Sequence, residues 1–254
     1  MSPSLRTERL TIRFGGHAAV NGVTCAFRPG ELTAIVGPNG AGKTTWFNLV
    51  SGQLTPTEGR IFLGEREISG LSPSARALAG VGRAFQLTNL FPRLTVLENV
   101  RLAVQARRRG GGRLLSRASA DRDTIAEAMR YVERTRLAAV AGLPAAALPH
   151  GDQRKLEVAL LLAMEPQVFM FDEPTAGMSV DEAPVILELI AEIREDRSKT
   201  ILLVEHKMDV VRALADRIVV LHNGELVADG RPDAVMALPI VREIYLGVGA
   251  EEAA

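Results

Sequence analysis

The 254-residue sequence has a single cysteine, few aromatic side chains and no net charge. One cysteine, Cys25, excludes a disulfide within the chain and is typical of proteins from a reducing compartment. We interpret Cys25 as a small, buried residue of a strand, VTCAF (23–27). Thirty basic residues balance thirty acidic ones, so no overall charge attracts nucleic acid or anionic lipid.

Long apolar runs are also missing. No uninterrupted apolar stretch approaches the roughly 18 residues of a membrane-spanning helix. The first ten residues, MSPSLRTERL, lack the apolar segment of a signal peptide. We therefore expect a soluble, cytoplasmic chain, which leaves docking on a partner that is neither soluble nor cytoplasmic open. Its 47% hydrophobic and 24% charged residues are typical of a globular protein with one or two domains.

The most informative stretch is GPNGAGKTT (37–45), which follows the apolar run LTAIV (32–36). Its spacing of Gly, four residues, Gly, Lys and Thr predicts a phosphate-binding loop between a strand and a helix. Glycines let backbone N–H groups approach phosphate oxygens, and the following helix directs its positive end at the same anion. The nucleotide-binding residues predicted by this motif are Gly37, Pro38, Asn39, Gly40, Ala41, Gly42, Lys43, Thr44 and Thr45.

Within this loop, Lys43 is expected to contact the β- and γ-phosphates, and the Thr44 hydroxyl to bind Mg²⁺. The alternative is a glycine turn that binds nothing. The apolar strand before the motif and the helix-like sequence TTWFNLVSG (44–52) favour the phosphate-binding loop.

A second group of polar residues follows apolar strands later in the chain. VFMFDE (168–173) ends in two acids, and we expect Asp172 to hold Mg²⁺ and Glu173 to deprotonate an attacking water. The alternative is that both acids only cap a buried strand. His206 ends another strand, and catalytic groups cluster at the carboxyl ends of parallel strands. A lone histidine there is more often structural, so the residue pattern leaves its role open.

Short apolar runs alternate with helical patterns, which predicts an α/β fold with a parallel sheet. The predicted strands are 9–14, 23–27, 60–64, 81–86, 168–171 and 200–206. A hairpin is predicted over 216–230, because Asn223-Gly224 is typical of a tight turn between strands. Helices are predicted over 72–78, from Thr95 onward, over 119–137, over 180–195 and near Pro232 and Pro239. Ser72 and Thr95 are the expected N-caps of the first two helices.

This order of elements divides a single domain, 1–254, into parts. Residues 5–91 and 166–230 are predicted to form the nucleotide-binding core, 92–165 an inserted helical subdomain, and 231–254 a C-terminal helical extension. Seven arginines lie between Arg101 and Arg122, including those of RRRGGGR (107–113). We interpret the arginine-glycine run as a solvated, mobile loop; the alternative is contact with anionic lipid headgroups or a membrane partner.

Five segments in order resemble an ATPase subunit of an ABC transporter, and the resemblance covers almost the whole chain. They are GPNGAGKT (37–44), AFQ (84–86), LPHGDQRK (148–155), FDEP (171–174) and LVEH (203–206). The resemblance implies a P-loop NTPase (RecA-like) α/β core, an antiparallel β portion near the N-terminus and an inserted α-helical subdomain. It also implies hydrolysis of ATP with Mg²⁺.

The same resemblance implies roles for individual residues. Phe14 would stack on the adenine, Glu173 would be the general base, and His206 would contact the γ-phosphate. Gln86 would sense the Mg²⁺ site, shared with Thr44 and Asp172, and would couple it to a membrane partner. The signature that completes a nucleotide site on a second ATPase subunit would comprise Leu148, Pro149, His150, Gly151 and Asp152.

Narrower features resemble the branched-chain amino acid importers of this family, and the insert suggests the longer of their two ATPases. They are RFGG (13–16), AVQARRRGGG (103–112), TAGMS (175–179) and EIYLG (243–247). This resemblance implies a second, different ATPase subunit, with a homodimer as the alternative, two permeases and, indirectly, a periplasmic binding protein. It places the chain on the inner face of the plasma membrane, without nucleic acid. His17, His150 and His222 have no metal-ligand spacing with a cysteine or an acid, so no metal besides Mg²⁺ is expected. Alternatives are an ATPase of an exporter or lipid-extraction system, a soluble ABC-type nucleotide switch, or an ATP-binding regulatory subunit.

The signature departs from the family pattern at two positions. Pro149 stands where a serine usually donates a hydrogen bond to the γ-phosphate, and proline has neither a hydroxyl nor an N–H. Asp152 replaces a glutamine and adds negative charge. We therefore hypothesise that the site using this signature is impaired, whereas the site built on Lys43, Asp172 and Glu173 is competent. The alternative is that Pro149 has no consequence, or that His150 donates instead.

Overall fold

The computed structural model describes residues 5–84, 90–108, 118–178 and 182–246. Its strands are β1 (Leu5–Phe14), β2 (His17–Phe27), β3 (Leu32–Val36), β4 (Glu58–Leu63), β5 (Arg66–Glu67), β6 (Val81–Ala84), β7 (Val168–Asp172), β8 (Thr200–Val204), β9 (Arg217–His222) and β10 (Glu225–Gly230). Its α-helices are α1 (Lys43–Ser51), α2 (Pro73–Ala79), α3 (Val96–Arg108), α4 (Ala118–Arg134), α5 (His150–Met164), α6 (Ala183–Glu195), α7 (Met208–Leu214), α8 (Pro232–Met236) and α9 (Pro239–Leu246).

A six-stranded sheet in the order β10-β9-β3-β8-β7-β6 forms the centre of the fold. Only β10 is antiparallel to its neighbour; the other pairs are parallel. Every residue of β3, β7 and β8 is buried, as expected for parallel strands covered on both faces. The three loops that carry the predicted site therefore leave adjacent strands at the same edge of the sheet.

The antiparallel β portion is a four-stranded sheet in the order β2-β1-β4-β5. It shares a hydrophobic core with the central sheet and α1, centred on Trp46 and Phe47. The rings of Phe27 and Trp46 lie 5.5 Å apart, centroid to centroid, at an angle of 57°. This core fixes the helix that follows the phosphate-binding loop.

Helices α3, α4 and α5 pack around a core of their own, which includes Val96, Val100, Val132 and Leu156. The predicted α/β fold with an antiparallel β portion and an inserted helical part is therefore confirmed. Among the described residues, no helix is both long enough and apolar enough to cross a membrane.

Local signals predicted several element ends correctly. Ser72 caps α2 by accepting a hydrogen bond from the N–H of Ala75, and Thr95 caps α3 through the N–H of Glu98 at 3.1 Å. The hairpin of β9 and β10 turns at Asn223-Gly224, with φ values of 49° and 80°. Both values match the left-handed conformation that such a two-residue turn requires.

Other predicted bounds were wrong. Strands β1 and β2 extend beyond 9–14 and 23–27, because register shifts at polar positions interrupt the alternation that marks a strand in the sequence. Helix α4 ends at Arg134 and not near Leu137, since Arg136 has a left-handed φ of 59°. The last two residues of the predicted strand 81–86 lie outside the described part of the chain.

The loop interpretation of the arginine run is wrong for its first two residues, which end α3. The guanidinium groups of Arg107 and Arg108 both pair with the buried Glu127 on α4. Arg107 also contacts Glu165 at 2.5 Å. These pairs, together with the negative end of the helix dipole, favour a helical end with two basic residues here. Residues 109–117 are not described.

Candidate nucleotide-binding site

The phosphate-binding loop joins β3 to α1 and needs glycine at two positions. Gly37 has φ 152°, and a Cβ built on it would lie 2.1 Å from the carbonyl oxygen of Leu221. Gly42 has φ 96°, and its Cβ would lie 2.4 Å from the carbonyl oxygen of Ala19. The loop is thus held between β2 and the end of β9, where no larger side chain fits.

The turn between β9 and β10 braces the loop from one side. The N–H of Gly224 donates to the carbonyl of Ala41 at 3.1 Å, and the N–H of Asn21 donates to the carbonyl of Gly224 at 2.8 Å. One backbone hydrogen bond from this turn therefore holds the loop, and the second ties the turn itself to β2.

Lys43 is 6% exposed and folds back over the loop. Its Nζ donates to the carbonyl oxygens of Gly37 at 2.7 Å and Pro38 at 2.9 Å. Burial lowers the pKa of Lys43, and the nearby carboxylates of Glu173 and Asp172 oppose that shift. A cation is thereby held among loop carbonyls beside two acids, where an anionic ligand would gain from it.

A cavity of about 180 Å³ opens over the loop. The phosphate-binding loop, β2 and the ends of β7 and β8 all contribute to its wall. Its lining residues are Ala19, Asn39, Gly40, Ala41, Gly42, Lys43, Thr44, Thr45, Glu173 and His206. The structure therefore brings together most of the predicted loop residues with two of the three predicted strand-end groups, Glu173 and His206.

Glu173 and His206 meet across this cavity. Nε2 of His206 lies 2.8 Å from Oε1 of Glu173, and both side chains are about two-fifths exposed, at 43% and 41%. Glu173 has a left-handed φ of 51°, a conformation that costs energy in a non-glycine residue and is frequent at functional sites. Together with its position at the end of a parallel strand, this contact favours a functional role for His206.

Glu205 is a buried acid that the sequence analysis missed. It accepts hydrogen bonds from Oγ1 of Thr175 at 2.7 Å and from the N–H of His206 at 3.0 Å. It therefore ties the loop after β7 to the loop after β8. Its place directly before His206, at the end of an apolar run, was the one signal in the sequence that pointed to it.

Asp172 lies at the end of β7 and is also buried. Its Oδ2 accepts a hydrogen bond from Nη2 of Arg83 at 2.6 Å, and the two side chains are 5% and 7% exposed. Burial raises the pKa of Asp172, and the Arg83 guanidinium opposes that shift. No sequence pattern pointed to Arg83, which stands in the chain as one polar residue of a short strand.

Several predicted site residues are not among the described residues that line the cavity: Gly37, Pro38, Asp172, Phe14, Gln86 and the signature 148–152. Phe14 is 53% exposed at the end of β1, in the same hairpin as Ala19. Gln86 lies outside the described residues. The predicted signature 148–152 begins α5 in the helical part, away from the cavity lining.

Pro149 is the N-cap of α5, not a residue of its first turn, with φ −55° and ψ 157°. Its side chain makes no capping hydrogen bond. Asp152 lies one turn further on, and its Oδ1 is 2.8 Å from Nζ of Lys155. This ion pair offsets part of the negative charge that the sequence places near the helix start.

A glycine-built loop at the positive end of a helix, a buried lysine and facing strand-end carboxylates define a P-loop nucleotide-binding protein. The family described as ABC transporter matches residues 20–176 of the chain. The high-affinity branched-chain amino acid transport ATP-binding protein LivG of Salmonella typhimurium (strain LT2) is 40% identical over 250 residues, covering 96% of this chain and 98% of that protein. BraF of Pseudomonas aeruginosa, which carries the same description, is 40% identical over 251 residues with the same shares.

Solved structures agree. The ADP conformation of an ATP-binding cassette of an ABC transporter has a TM-score of 0.81 at 28% identity, covering 97% of this chain and 100% of that chain. A dimeric cassette in a post-hydrolysis state, bound to ADP and phosphate, has a TM-score of 0.77 at 25% identity, covering 90% and 98%. The chain belongs to the ABC transporter family, as one of its ATP-binding, ATP-hydrolysing subunits. Such subunits dimerise and act with membrane permeases.

Proposed function

We propose that this chain is the ATP-hydrolysing subunit of an importer for branched-chain amino acids or related polar or amide compounds. The observation that carries the proposal is the cavity in which the phosphate-binding loop faces the Glu173–His206 pair. The substrate class follows the names of LivG and BraF, each 40% identical over almost the whole chain.

The residues around the cavity suit attack of water on the γ-phosphate of ATP. Loop N–H groups and Lys43 would bind the phosphates, and Glu173 would accept the proton of the attacking water. His206 would orient Glu173 and contact the γ-phosphate. The exposed ring of Phe14, on the hairpin that also lines the cavity, would stack on the adenine.

The residues that would hold Mg²⁺ are Thr44, Asp172 and Gln86. They offer hydroxyl, carboxylate and amide oxygens, the hard ligands that Mg²⁺ prefers. Thr44 lines the cavity and Asp172 directly precedes Glu173, so the described residues fit such a site. The ion would neutralise charge on the β- and γ-phosphates.

We propose that the chain pairs with a different ATPase subunit under two permeases at the inner face of the plasma membrane. Within it, 92–165 would be the inserted subdomain and 231–254 the C-terminal extension of a core formed by 5–91 and 166–230. A periplasmic binding protein would deliver the substrate to the permeases.

Isolation of the tagged chain from detergent-solubilised membranes of its own cells, followed by mass spectrometry, tests this assembly. We expect two multi-span proteins and a second ATPase. Recovery with a single exporter-like membrane protein would replace the importer by an exporter. Recovery from the soluble fraction only, alone or with nucleic-acid proteins, would contradict the transporter proposal and favour a nucleotide switch.

We also propose that the two nucleotide sites of the dimer are unequal, because Pro149 cannot donate a hydrogen bond to the partner's nucleotide. Loss of one such donor costs on the order of 10²–10³ in rate. Pro149→Ser should therefore raise ATP turnover of the assembled complex, measured as phosphate release at saturating ATP.

Pro149→Ala is the matched control, because it removes the proline from the N-cap of α5 without adding a hydroxyl. We expect no gain in turnover from alanine. Equal turnover of the serine variant and the original complex would mean that Pro149 has no consequence and would end the proposal of unequal sites.

A further inference from the structure

Arg83 reaches from β6 to two neighbouring elements, β7 and α1. Nη2 donates to Oδ2 of Asp172 at 2.6 Å, at the end of β7. Nη1 donates to Oδ1 of Asn48 at 2.7 Å and to Oγ of Ser51 at 3.0 Å, both on α1. The guanidinium carbon lies 5.5 Å from the ring centre of Phe47, also on α1. Arg83 thus joins β6, β7 and the helix that begins at the phosphate-binding loop.

These contacts fix the orientation of the Asp172 carboxylate. A guanidinium group is planar and carries its donors in a rigid fork, so one arm held by α1 determines where the other arm points. With Oδ2 bound to that arm, Oδ1 has no hydrogen-bond partner among the described residues. One oxygen is committed to protein, and the other remains for a ligand.

The pair also has a charge consequence. Both side chains are nearly fully buried, at 7% and 5% exposure, and a buried carboxylate without a counter-charge is costly. Arg83 supplies that counter-charge even when no ligand is bound. The carboxylate can therefore keep its place in the fold before nucleotide and metal arrive.

We infer that Arg83 is a positioning residue for the Mg²⁺ site: it holds one oxygen of Asp172 so that the other is presented to the metal of Mg·nucleotide. This inference rests on the proposed function, in which Asp172 binds Mg²⁺. It adds a residue that touches neither the nucleotide nor the metal. Groups that orient metal ligands in this way typically change metal affinity about 10–100-fold when they are replaced.

The test compares ADP affinity of the full-length chain with Mg²⁺ and with EDTA, using a fluorescent ADP analogue, together with a Mg²⁺ titration at fixed analogue. For Arg83→Gln we expect unchanged affinity in EDTA and about 10–100-fold weaker apparent Mg²⁺ affinity. For Arg83→Lys, which keeps the charge but lacks the fork, we expect a smaller loss.

Arg76 provides a matched control for a purely structural effect. It is 1% exposed and donates to the backbone carbonyls of Leu49 and Val50 on α1, but it makes no hydrogen bond to Asp172. Arg76→Gln should lower the thermal unfolding midpoint without changing the ratio of ADP affinities in Mg²⁺ and EDTA. An equal change of that ratio in the Arg76 and Arg83 variants would overturn the inference.

Asp172→Asn separates failure of this inference from failure of the proposed function. If Asp172→Asn weakens Mg²⁺-dependent binding and Arg83→Gln does not, the inference about Arg83 is wrong and the metal site stands. If neither substitution changes the Mg²⁺ dependence, Asp172 is not a metal ligand and both the inference and the proposed metal site fail. Tighter Mg²⁺ binding by Arg83→Gln would mean that Arg83 opposes the metal, and would also overturn the inference.

Discussion

Glu173→Gln should lower ATP turnover of the assembled complex by about 10²–10⁴-fold, the usual contribution of a general base. The amide has nearly the same shape as the carboxylate but cannot accept the proton of the attacking water. It can still form a hydrogen bond with His206, whose Nε2 lies 2.8 Å from Oε1 of Glu173. Phosphate release at saturating Mg·ATP measures the effect.

Nucleotide binding is the control for this substitution. Because the loop would carry the phosphate contacts, we expect ATP affinity to stay within a few-fold of the original. A complex that binds ATP normally and also hydrolyses it at the original rate would show that Glu173 is not the base. Loss of binding together with turnover would mean that the residue supports the site's shape instead.

Lys43→Met should weaken ADP and ATP binding by about 10–100-fold, the equivalent of one lost charge-assisted hydrogen bond. Lys43 is the cation held over the loop by the carbonyls of Gly37 and Pro38. Methionine fills a similar volume but leaves these carbonyls without their donor. Equilibrium titration with a fluorescent nucleotide measures the loss.

The control for Lys43→Met is Lys199→Met, which removes a lysine at the start of β8, outside the lining of the cavity. Both variants have the same net charge, so a general charge effect would weaken binding equally in the two. We expect only the Lys43 variant to lose affinity. If the Lys43→Met and Lys199→Met variants bind nucleotide with equal affinity, the role assigned to Lys43 is contradicted.

The parts of the site that the sequence predicted depend on contiguous residues. The spacing in GPNGAGKTT (37–45) requires only a strand, a glycine loop and a helix, and each of these forms locally. The turn at Asn223-Gly224 and the cap at Ser72 were predicted for the same reason: a few neighbouring residues determine them. The order of parallel strands then placed Asp172, Glu173 and His206 at one edge.

The parts that the sequence did not predict depend on contacts between distant residues. Arg83 and Asp172 are 89 positions apart, and the sequence around either residue does not indicate that the two are in contact. Glu205 acts through Thr175, 30 positions before it, and Arg107 through Glu127, 20 positions after it. Whether a buried charge is tolerated depends on its contacts with residues that are distant in the sequence. Periodicity and composition do not predict these contacts.

Uptake of radiolabelled leucine, isoleucine and valine by the protein's own cells tests the central claim, that ATP hydrolysis at this site drives amino acid import. Deletion of the chain should abolish high-affinity uptake of at least one of the three. The original chain should restore it, and Glu173→Gln, expressed at the same level and recovered with the same permeases, should not. Equal uptake with the original and the Glu173→Gln chain, or no change on deletion, would contradict the account.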